Sequence, residues 1–339
     1  MENDKLKNSR NILGIIGGSG LYNIEGLNNI KEVAADTPFG APSDNLIFGE
    51  IDGKQLVFIP RHGRGHKILP SEINYAANIY ALKAAGVSKV ISVSAVGSLK
   101  KEIIPGDMVI VDQFFDFTKN RKNTFFGDGI VAHVSMAEPV CPCLRNIVID
   151  SCKSLGIRYH SEGTYICIEG PQFSSKAESL FFKNSGFDVI GMTNATEAKF
   201  AREASLCYTT IAMATDYDCW HEDEENVNAD IIIKILNENA EKAKNIIKEA
   251  IKHIAYGDNA GNDNINNNIN DIADIDNRND NAYANINKIH YSNNINPEGN
   301  IYNVCSCSCP SSLEHAVVTA KKDVPEQILK KLAIFEIYK

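Results

Sequence analysis

Two aspartates follow an apolar stretch in the second half of the chain. Asp216 and Asp218 stand at i and i+2 behind a run that ends near Ala214. Side chains at i and i+2 of an extended chain point to the same side. Carboxyl groups held close together acquire separated pKa values, so one can stay protonated. Such a pair could donate to a ring nitrogen of a heterocyclic base and accept from its amino group. Two solvated acids at a strand end are the alternative.

Groups that suit an anion occur earlier in the chain. Arg61 and His62 directly follow a strand-like run, and a guanidinium fork beside an imidazole fits phosphate or carboxylate. A solvated loop is the alternative there. The loop of residues 17–20 could bring backbone N–H groups to an anion, with Ser19 adding a hydroxyl. Its glycine spacing matches neither a dinucleotide fingerprint nor a P-loop, and a structural turn is equally compatible.

A third polar segment, residues 169–174, lies between a predicted strand and a predicted helix. Phe173 could stack on a flat base. Ser174 could cap the helix or bind a ligand, and capping is the commoner role for such a serine.

The elements that must position these groups alternate between strand-like and helical patterns. This alternation predicts an α/β fold with a largely parallel sheet flanked by helices, in a single domain. Ligands bind such sheets at the carboxyl ends of the strands. We predict strands over residues 13–16, 56–60, 90–93, 108–111, 165–168, 188–191 and 208–213, and helices over 71–85, 175–183, 197–204 and 227–254.

Composition excludes several classes of function. The 339 residues carry a net charge of -9, which disfavours nucleic-acid binding because phosphate contacts need clustered Lys and Arg. No apolar run approaches the roughly 20 residues that span a bilayer, so we expect no membrane partner. The first ten residues are polar rather than signal-like, and we expect a cytoplasmic location. In a reducing compartment most of the nine cysteines should be thiols.

The domain organisation follows from a change of composition. Residues 1–11 are predicted to form a polar tail and 12–256 the main domain. The Asn/Asp-rich stretch 257–300 has too few apolar groups to offset its ordering entropy, so we predict a disordered insertion. Residues 301–339 should complete the same domain, with a strand over 313–319 and a helix over 325–333.

In their order along the chain, these segments resemble the 5'-methylthioadenosine phosphorylases, in the trimeric branch of the purine-nucleoside phosphorylase family. The similarity covers nearly all of residues 12 to 254. The matching stretches are Ile15-Ile16-Gly17-Gly18-Ser19-Gly20, Asp36-Thr37-Pro38-Phe39-Gly40, Pro60-Arg61-His62-Gly63-Arg64-Gly65-His66, Ser94-Ala95-Val96-Gly97-Ser98, Pro105-Gly106-Asp107, Val131-Ala132-His133-Val134-Ser135-Met136-Ala137, Ile168-Glu169-Gly170-Pro171, Gly191-Met192-Thr193-Asn194 and Thr215-Asp216-Tyr217-Asp218-Cys219-Trp220.

The resemblance implies a nucleoside phosphorylase-like fold and a reaction. That reaction is the reversible phosphorolysis of S-methyl-5'-thioadenosine to adenine and 5-methylthioribose 1-phosphate, which serves purine and methionine salvage. A broader purine-nucleoside phosphorylase acting on adenosine or inosine is the alternative. The resemblance also implies a homotrimer with sites near the subunit interfaces. Inorganic phosphate would be a co-substrate, with no cofactor and no metal, because Arg61 and the loop donors neutralise it.

The resemblance further implies roles for individual residues. The phosphate-binding set would be Ser19, Arg61, His62, Ser94, Ala95 through its backbone, and Thr193. The nucleoside-binding set would be Phe173 and Ser174 beside the base, Met192 under the ribose, Asp216 and Asp218 on adenine, and His133 and Ala229 at the 5' pocket, His133 from a neighbouring subunit. The catalytic residues would be Asp216, Arg61 and His62.

Asp216 carries the chemical step in this interpretation. It would protonate N7, or hydrogen-bond to it, as the glycosidic bond breaks. Relatives that prefer 6-oxopurines typically carry Asn at this position, because an amide suits a carbonyl base and a carboxylate suits an amino base. The acid pair therefore favours 6-aminopurines.

Four positions depart from the family pattern. Many relatives have Arg where this chain has Gln172, and Val-Pro where it has Ala195-Thr196. Ala229 is small, which predicts a wide 5' pocket able to admit other 5' groups.

Two other classes of function compete with the phosphorylase. A binding protein without activity would need a broken site, whereas the phosphate and base residues are present. A nicotinamide-dependent dehydrogenase fails on the glycine spacing of the early loop.

The cysteine-rich run Cys305, Cys307 and Cys309 leaves three interpretations open. They are structural thiols, a redox pair, or a metal site with three thiolates and no obvious fourth ligand. Some relatives, especially archaeal ones, carry a Cys-x-Cys in this region. Cys141 and Cys143, which flank Pro142, are expected to pack in a turn.

Overall fold

Eleven β-strands form one mixed sheet in the computed structural model, which describes residues 12–18, 21, 24–221, 229–254 and 307–338, with only the backbone of 229–233. The strands are β1 (Ile12–Gly17), β2 (Asn28–Val33), β3 (Leu46–Ile51), β4 (Lys54–Pro60), β5 (Val87–Ser98), β6 (Met108–Ile110), β7 (Gln113–Asp116), β8 (Tyr159–His160), β9 (Thr164–Cys167), β10 (Val189–Gly191) and β11 (Cys207–Tyr217). The described helices are α1 (Tyr75–Ala84), α2 (Pro142–Ser154), α3 (Lys176–Asn184), α4 (Asn194–Glu203), α5 (Ala229–His253) and α6 (Glu326–Lys331). The predicted α/β fold with a flanked, mixed sheet is confirmed.

Strand β5 is the centre of the sheet. It pairs in parallel with β1 on one side and β11 on the other, and β1 pairs in parallel with β4. Residues of β1 are buried throughout, as expected for a parallel strand covered on both faces. The carboxyl ends of β1, β4, β5 and β11 therefore meet at one edge of the sheet.

The sheet divides at the end of β5. There β10 joins β5 antiparallel, with Val189 opposite Ser98 and Ile190 opposite Gly97. Strands β9 and β7 extend this part in parallel with β10. The chain leaving β10 thus runs back along β5 toward Ser94, near the level at which β1 ends.

Helices cover both faces of the sheet. Helices α1 and α4 pack together on one face, with α4 against β11. The C-terminal residues join this layer through buried side chains such as Leu313, Ile328 and Phe335. Helices α2 and α5 cover the other face.

Several details of the predicted elements differ from the observed ones. Helix α1 begins at Tyr75 rather than Ser71, because the Asn74 side chain accepts from the N–H of Ala77 and caps the helix. Helix α3 is capped by Ser175 in a capping box with Glu178, and not by Ser174. Strand β5 extends well beyond the predicted residues 90–93.

Two further predictions are wrong in type. Cys141 is the N-cap of α2, with Pro142 in its first turn, so these residues start a helix instead of packing in a turn. The predicted strand over 313–319 is a series of turns with one isolated bridge, Ala132 to Val317. His315 adopts a φ of 62°, which interrupts an extended chain.

Several predictions fall outside the described residues. They concern the 1–11 tail, Ser19, the insertion 257–300, the boundaries at 256 and 301, and Cys305. Within the described part of the chain, no helix combines the length and apolar character needed to cross a bilayer.

A buried carboxyl group gives the fold a pH dependence. Glu203 on α4 accepts from the Thr124 hydroxyl at 2.6 Å and from the Phe125 N–H at 2.7 Å. Burial raises the pKa of Glu203 to about 7. Since the folded pKa exceeds the unfolded value, this group contributes stability below about pH 4.5 that is lost as the pH rises through 7.

We expect Glu203→Gln to remove this contribution. The amide oxygen can accept from the Phe125 N–H while the amide NH2 donates to Thr124 Oγ1, both without a charge. Raising the pH from 4.5 to 8 should therefore destabilise the wild type by up to about 3 kcal/mol more than the variant. Urea unfolding at both pH values measures the difference. Glu162→Gln, at an exposed position, is the matched control. Equal pH dependence in the wild type and Glu203→Gln would contradict the raised pKa.

Candidate active site

Arg61 lies directly behind β4, deep inside the protein. Its backbone N–H donates to Gly17 O at the end of β1, which aligns the two strand ends. Only 3% of Arg61 is exposed. The guanidinium donates to both carboxylate oxygens of Glu197, which is 2% exposed and lies on α4. Burial opposes the charge of Arg61, but Glu197 outweighs burial and holds the pKa of Arg61 above its ordinary value.

The remaining donors of Arg61 reach β5. Its Nη1 donates to Val93 O at 2.9 Å and its Nη2 to Ser92 Oγ at 2.6 Å. A guanidinium has five N–H donors, and four are used in these contacts. Arg61 is therefore a fixed cation inside a buried network, with one N–H left for a ligand.

His62 follows Arg61 and is half-buried. Its Nδ1 lies 2.8 Å from Ile68 O, and because a carbonyl only accepts, Nδ1 carries the proton. Burial, aided by the neighbouring charges of Arg61 and His66, lowers the pKa of His62 to about 4. The imidazole is therefore neutral at pH 7 and presents Nε2 as an acceptor.

Ser94 and Thr193 meet at one tyrosine. The Thr193 N–H lies 3.4 Å from the hydroxyl of Tyr165, which also hydrogen-bonds to Ser94. The antiparallel register of β10 on β5 brings these residues together, because continuing that register places Thr193 beside Ser94. Ala95, the residue after Ser94, is exposed in an otherwise buried stretch of β5. This exposure opens the sheet to a ligand at Ala95.

A buried hydrogen-bond network joins the phosphate candidates. The Asn194 side chain donates to Ser92 Oγ at 2.9 Å and accepts from Thr193 Oγ1 at 2.9 Å. Ser92 in turn donates to Glu197, the partner of Arg61. The sequence reasoning missed Ser92, Asn194 and Glu197. Ser92 is a polar residue in a mostly apolar strand, whereas nothing in the polar sequence of α4 marks Asn194 or Glu197 as buried.

The two aspartates lie where β11 leaves the sheet. The β5–β11 register shifts between Ala214 and Asp216, which sets Asp216 opposite Gly97. Such bulges re-aim a side chain and occur beside active sites. Asp216 is half-buried, and one carboxylate oxygen accepts from Thr215 Oγ1 at 2.6 Å. Asp218 is 7% exposed and its backbone N–H donates to Ser98 O.

Three buried polar atoms near the aspartates have no hydrogen-bond partner among the described residues. They are Asp218 Oδ2, Ser174 Oγ and His221 Nδ1. The thiol of Cys219 donates to Ser174 O at 3.2 Å, so the Ser174 loop contacts the aspartate segment. Buried polar atoms are normally paired, and unpaired ones indicate a missing ligand or water. A polar heterocycle that reaches Ser174 and Asp218 would supply the partner.

Met192 packs against the loop that carries Ser174. Gly170 has a φ of 68°, and a Cβ there would lie 2.5 Å from Met192 Sδ, so this approach requires glycine. Phe173 is 86% exposed. Its ring is therefore available to a ligand or to another chain.

Arg121 fixes the loops around Met192, and sequence reasoning missed it. Its side chain is 2% exposed and forms an ion pair with Glu169 at 2.8 Å. It also donates to the carbonyl oxygens of Ile168, Glu169 and Met192. Arg121 is therefore a positioning residue. It lies in the highly charged stretch 119–122, which a reading of the sequence would place on the surface.

Strand β5 joins the two parts of the site. Arg61 binds Val93 O at one end, and Asp216 faces Gly97 at the other. Four residues of extended chain span about 13 Å. The guanidinium and the aspartates thus lie within one region.

The two residues assigned to the 5' pocket stay predictions. His133 is exposed, and its backbone N–H donates to Ala316 O of the C-terminal segment. Ala229 is the first residue of α5, and its side chain lies outside the described residues.

Comparison with known proteins identifies the family. Residues 12–252 match the family described as the Phosphorylase superfamily. The chain belongs to the phosphorylase superfamily.

Relatives within this superfamily are similar over most of their length. The chain is 54% identical over 244 residues to the S-methyl-5'-thioadenosine phosphorylase of Geobacter sulfurreducens, covering 72% of this chain and 85% of that one. It is 52% identical over 242 residues to the enzyme of that name from Thermofilum pendens, covering 71% and 92%.

Solved structures of the superfamily share the fold. A methylthioadenosine phosphorylase from an Antarctic soil metagenomic library superposes with a TM-score of 0.77 at 40% identity, covering 95% of this chain and 98% of the other. The Schistosoma mansoni methylthioadenosine phosphorylase in complex with adenine gives a TM-score of 0.66 at 36% identity, covering 77% and 95%.

Proposed function

We propose that the protein cleaves S-methyl-5'-thioadenosine with inorganic phosphate, giving adenine and 5-methylthioribose 1-phosphate. The relatives that match most of the chain carry this activity in their names. The observation that carries the proposal for this chain is that Arg61 binds β5 at Val93 and Asp216 faces β5 at Gly97, two positions about 13 Å apart. That span accommodates a phosphate, a sugar and a purine in a row. The reaction would serve purine and methionine salvage.

Phosphate would bind at the end nearest Arg61. The Ser94 and Thr193 hydroxyls, the remaining Arg61 N–H and the backbone at Ala95 are the donors on the described residues. Glu197 neutralises much of the Arg61 charge, so Arg61 attracts phosphate less strongly than an unpaired guanidinium would. The hydroxyl and backbone donors therefore supply a larger share of the binding. Neutral His62 would accept a hydrogen bond at Nε2 from the P–OH group that phosphate retains at neutral pH. The bound anion would attack the sugar carbon and offset its developing positive charge.

The purine would bind at the aspartate end. Asp216 would protonate N7, or hydrogen-bond to it, as the leaving group departs. Asp218 Oδ2 would accept from the exocyclic amine, which gives this orphaned atom a partner. Ser174 and Phe173 would line the base, and Met192 would lie under the ribose. Inorganic phosphate is a co-substrate in this scheme, and no step calls for a metal or cofactor.

A paired substitution tests the role of His62. Asn keeps the donor to Ile68 O but lacks a group at the Nε2 position, whereas Gln reaches that position with a polar atom. We expect His62→Asn to lower kcat/KM for phosphate by about 10- to 100-fold, the value of one hydrogen bond to a charged group, and His62→Gln to lower it less. Steady-state kinetics at varied phosphate measure both. Equal losses would show that Nε2 does not contact phosphate.

The substrate is tested with three nucleosides. The full chain is incubated with phosphate and, separately, S-methyl-5'-thioadenosine, adenosine and inosine, and released bases are separated by chromatography. We expect adenine from the thioether substrate with the highest kcat/KM, and none without phosphate. Comparable release of hypoxanthine from inosine would favour a broader nucleoside phosphorylase. Absence of any released base would contradict the proposal.

We further propose a homotrimer in the cytoplasm, with sites near the subunit interfaces. Val131 and Val318, joined by a backbone hydrogen bond beside His133, expose apolar side chains, as does Phe173. Exposed apolar groups of this size are typical of contact surfaces. Light scattering of the full chain should give the mass of three subunits, and a monomer would contradict the assembly.

A further inference from the structure

Four cysteines from distant parts of the chain converge on the face of the sheet covered by α2 and α5. Cys141 caps α2, Cys207 opens β11, and Cys307 and Cys309 belong to the C-terminal segment. Their four sulfur atoms all lie within 4.8 Å of one another. Sequence reasoning had found three thiols in the C-terminal run and no fourth ligand; two of the ligands instead come from the main domain.

The spacing of the sulfurs matches a tetrahedral metal centre. A zinc ion with Zn–S distances of about 2.3 Å has S–S edges of about 3.8 Å. The Cys207 and Cys307 sulfurs are 3.5 Å apart. Small side-chain rotations therefore suffice to place one ion among all four sulfurs.

The surroundings suit a closed, charged cluster. Cys141, Cys207 and Cys309 are buried within an apolar core that excludes water. Buried Arg202 donates to Cys309 Sγ at 3.7 Å and to Glu138 O. Among the described residues no carboxylate lies within ion-pair distance of Arg202. A zinc ion with four thiolates carries a net charge of about -2, and a buried guanidinium beside a sulfur offsets part of it.

We propose that Cys141, Cys207, Cys307 and Cys309 bind one structural zinc ion. Four protein ligands leave no position for water or substrate, so the site is structural and takes no part in phosphorolysis. Binding replaces four S–H bonds by four Zn–S bonds and releases four protons, without any oxidant. The ion joins the C-terminal segment to the start of α2 and of β11.

This link secures a segment that belongs to the opposite face of the sheet. Directly after Cys309, the Ser312 hydroxyl donates to Arg202 O at 2.5 Å and lies 3.1 Å from Ser205 Oγ. Beyond it, Leu313 and Ile328 pack with α1 and α4. The zinc site thus fixes the beginning of the described C-terminal segment, at residues 307–309, to the main domain.

Metal analysis of the full chain tests the proposal directly. The protein is purified without a polyhistidine tag and in a non-thiol reductant, then analysed by plasma mass spectrometry. We expect about one zinc per chain. Exchange for cobalt should give the visible ligand-field bands and the sulfur charge-transfer band of tetrahedral tetrathiolate Co²⁺. Iron in place of zinc, or the absence of metal, would overturn the proposal.

Matched variants locate the ion. Cys307→Ser and Cys309→Ser should each lose most of the zinc, whereas Cys152→Ser, at a buried thiol of the same apolar core, should keep it. A strong chelator should lower the Tm of the wild type and of Cys152→Ser, and leave the Tm of Cys307→Ser unchanged. Zinc retained equally by all three variants would overturn the site. Disulfides among these cysteines in a second preparation, purified anaerobically without reductant, would do so too, and the wild-type analysis stands even if a variant fails to fold.

Discussion

Asp216→Asn should lower kcat/KM for S-methyl-5'-thioadenosine by about 10²- to 10⁴-fold, the contribution of a positioned general acid. An amide has no acidic proton to give to N7, and its polarity is matched to a 6-oxopurine rather than to an amino base. The loss on inosine should therefore be much smaller. Rates with both nucleosides at saturating phosphate measure the contrast.

The control for this variant is Asp128→Asn, which makes the same chemical change in an exposed loop. Its kinetics should equal those of the wild type. The Thr215 hydroxyl, which donates to the Asp216 carboxylate, can still donate to the amide oxygen that replaces it. We therefore expect the Asp216 variant to fold with little loss of stability. If both nucleosides lost the same factor, Asp216 would have no role in recognising the base.

Glu197→Ala should destabilise the protein by about 3–5 kcal/mol, because it leaves the charge of Arg61 buried without a partner. Glu197 accepts from Arg61 through both oxygens, and neither residue is exposed enough for water to replace the contact. Denaturant unfolding of the wild type and the variant gives the difference in free energy. A cost below about 1 kcal/mol would mean that the pair is open in solution.

A double variant separates stability from function. Arg61→Met with Glu197→Leu removes both charges and fills the space with apolar groups, which is often close to neutral for buried pairs. We expect it to recover most of the stability lost in Glu197→Ala, while its kcat/KM for phosphate stays low because the cation is gone. Recovery of both stability and phosphate use would exclude Arg61 from the anion site.

The sequence predicts the centre of the fold better than its edges. Strands β1, β4, β5 and β11 are recognisable because both faces are buried and their residues form continuous apolar runs. The hairpin of β2 and β3 was missed, since β2 is mostly exposed and carries polar residues. The short β7 and β8 leave too few residues for a periodic pattern.

The residues of the candidate site were also only partly predictable from the sequence. Arg61, His62 and Asp216 follow apolar strands, so their type and position were informative. Nothing local marks Glu197 or Arg121 as buried, since each owes its role to partners far along the chain. The convergence of Cys141 and Cys207 on the C-terminal cysteines is likewise a property of the topology, which spacing along the sequence does not contain.

Strand β5 sets the distance between the part of the site that would bind phosphate and the part that would bind the purine. Its segment from Val93 to Gly97 is paired with β11 on one side and, at Gly97, with β10 on the other, and its length is set by covalent geometry. Deleting one residue there would shorten the interval by about 3.3 Å and turn every following side chain to the opposite face. Evolution can therefore exchange the residues that recognise the base at one end, while the separation of nucleophile and leaving group stays constant.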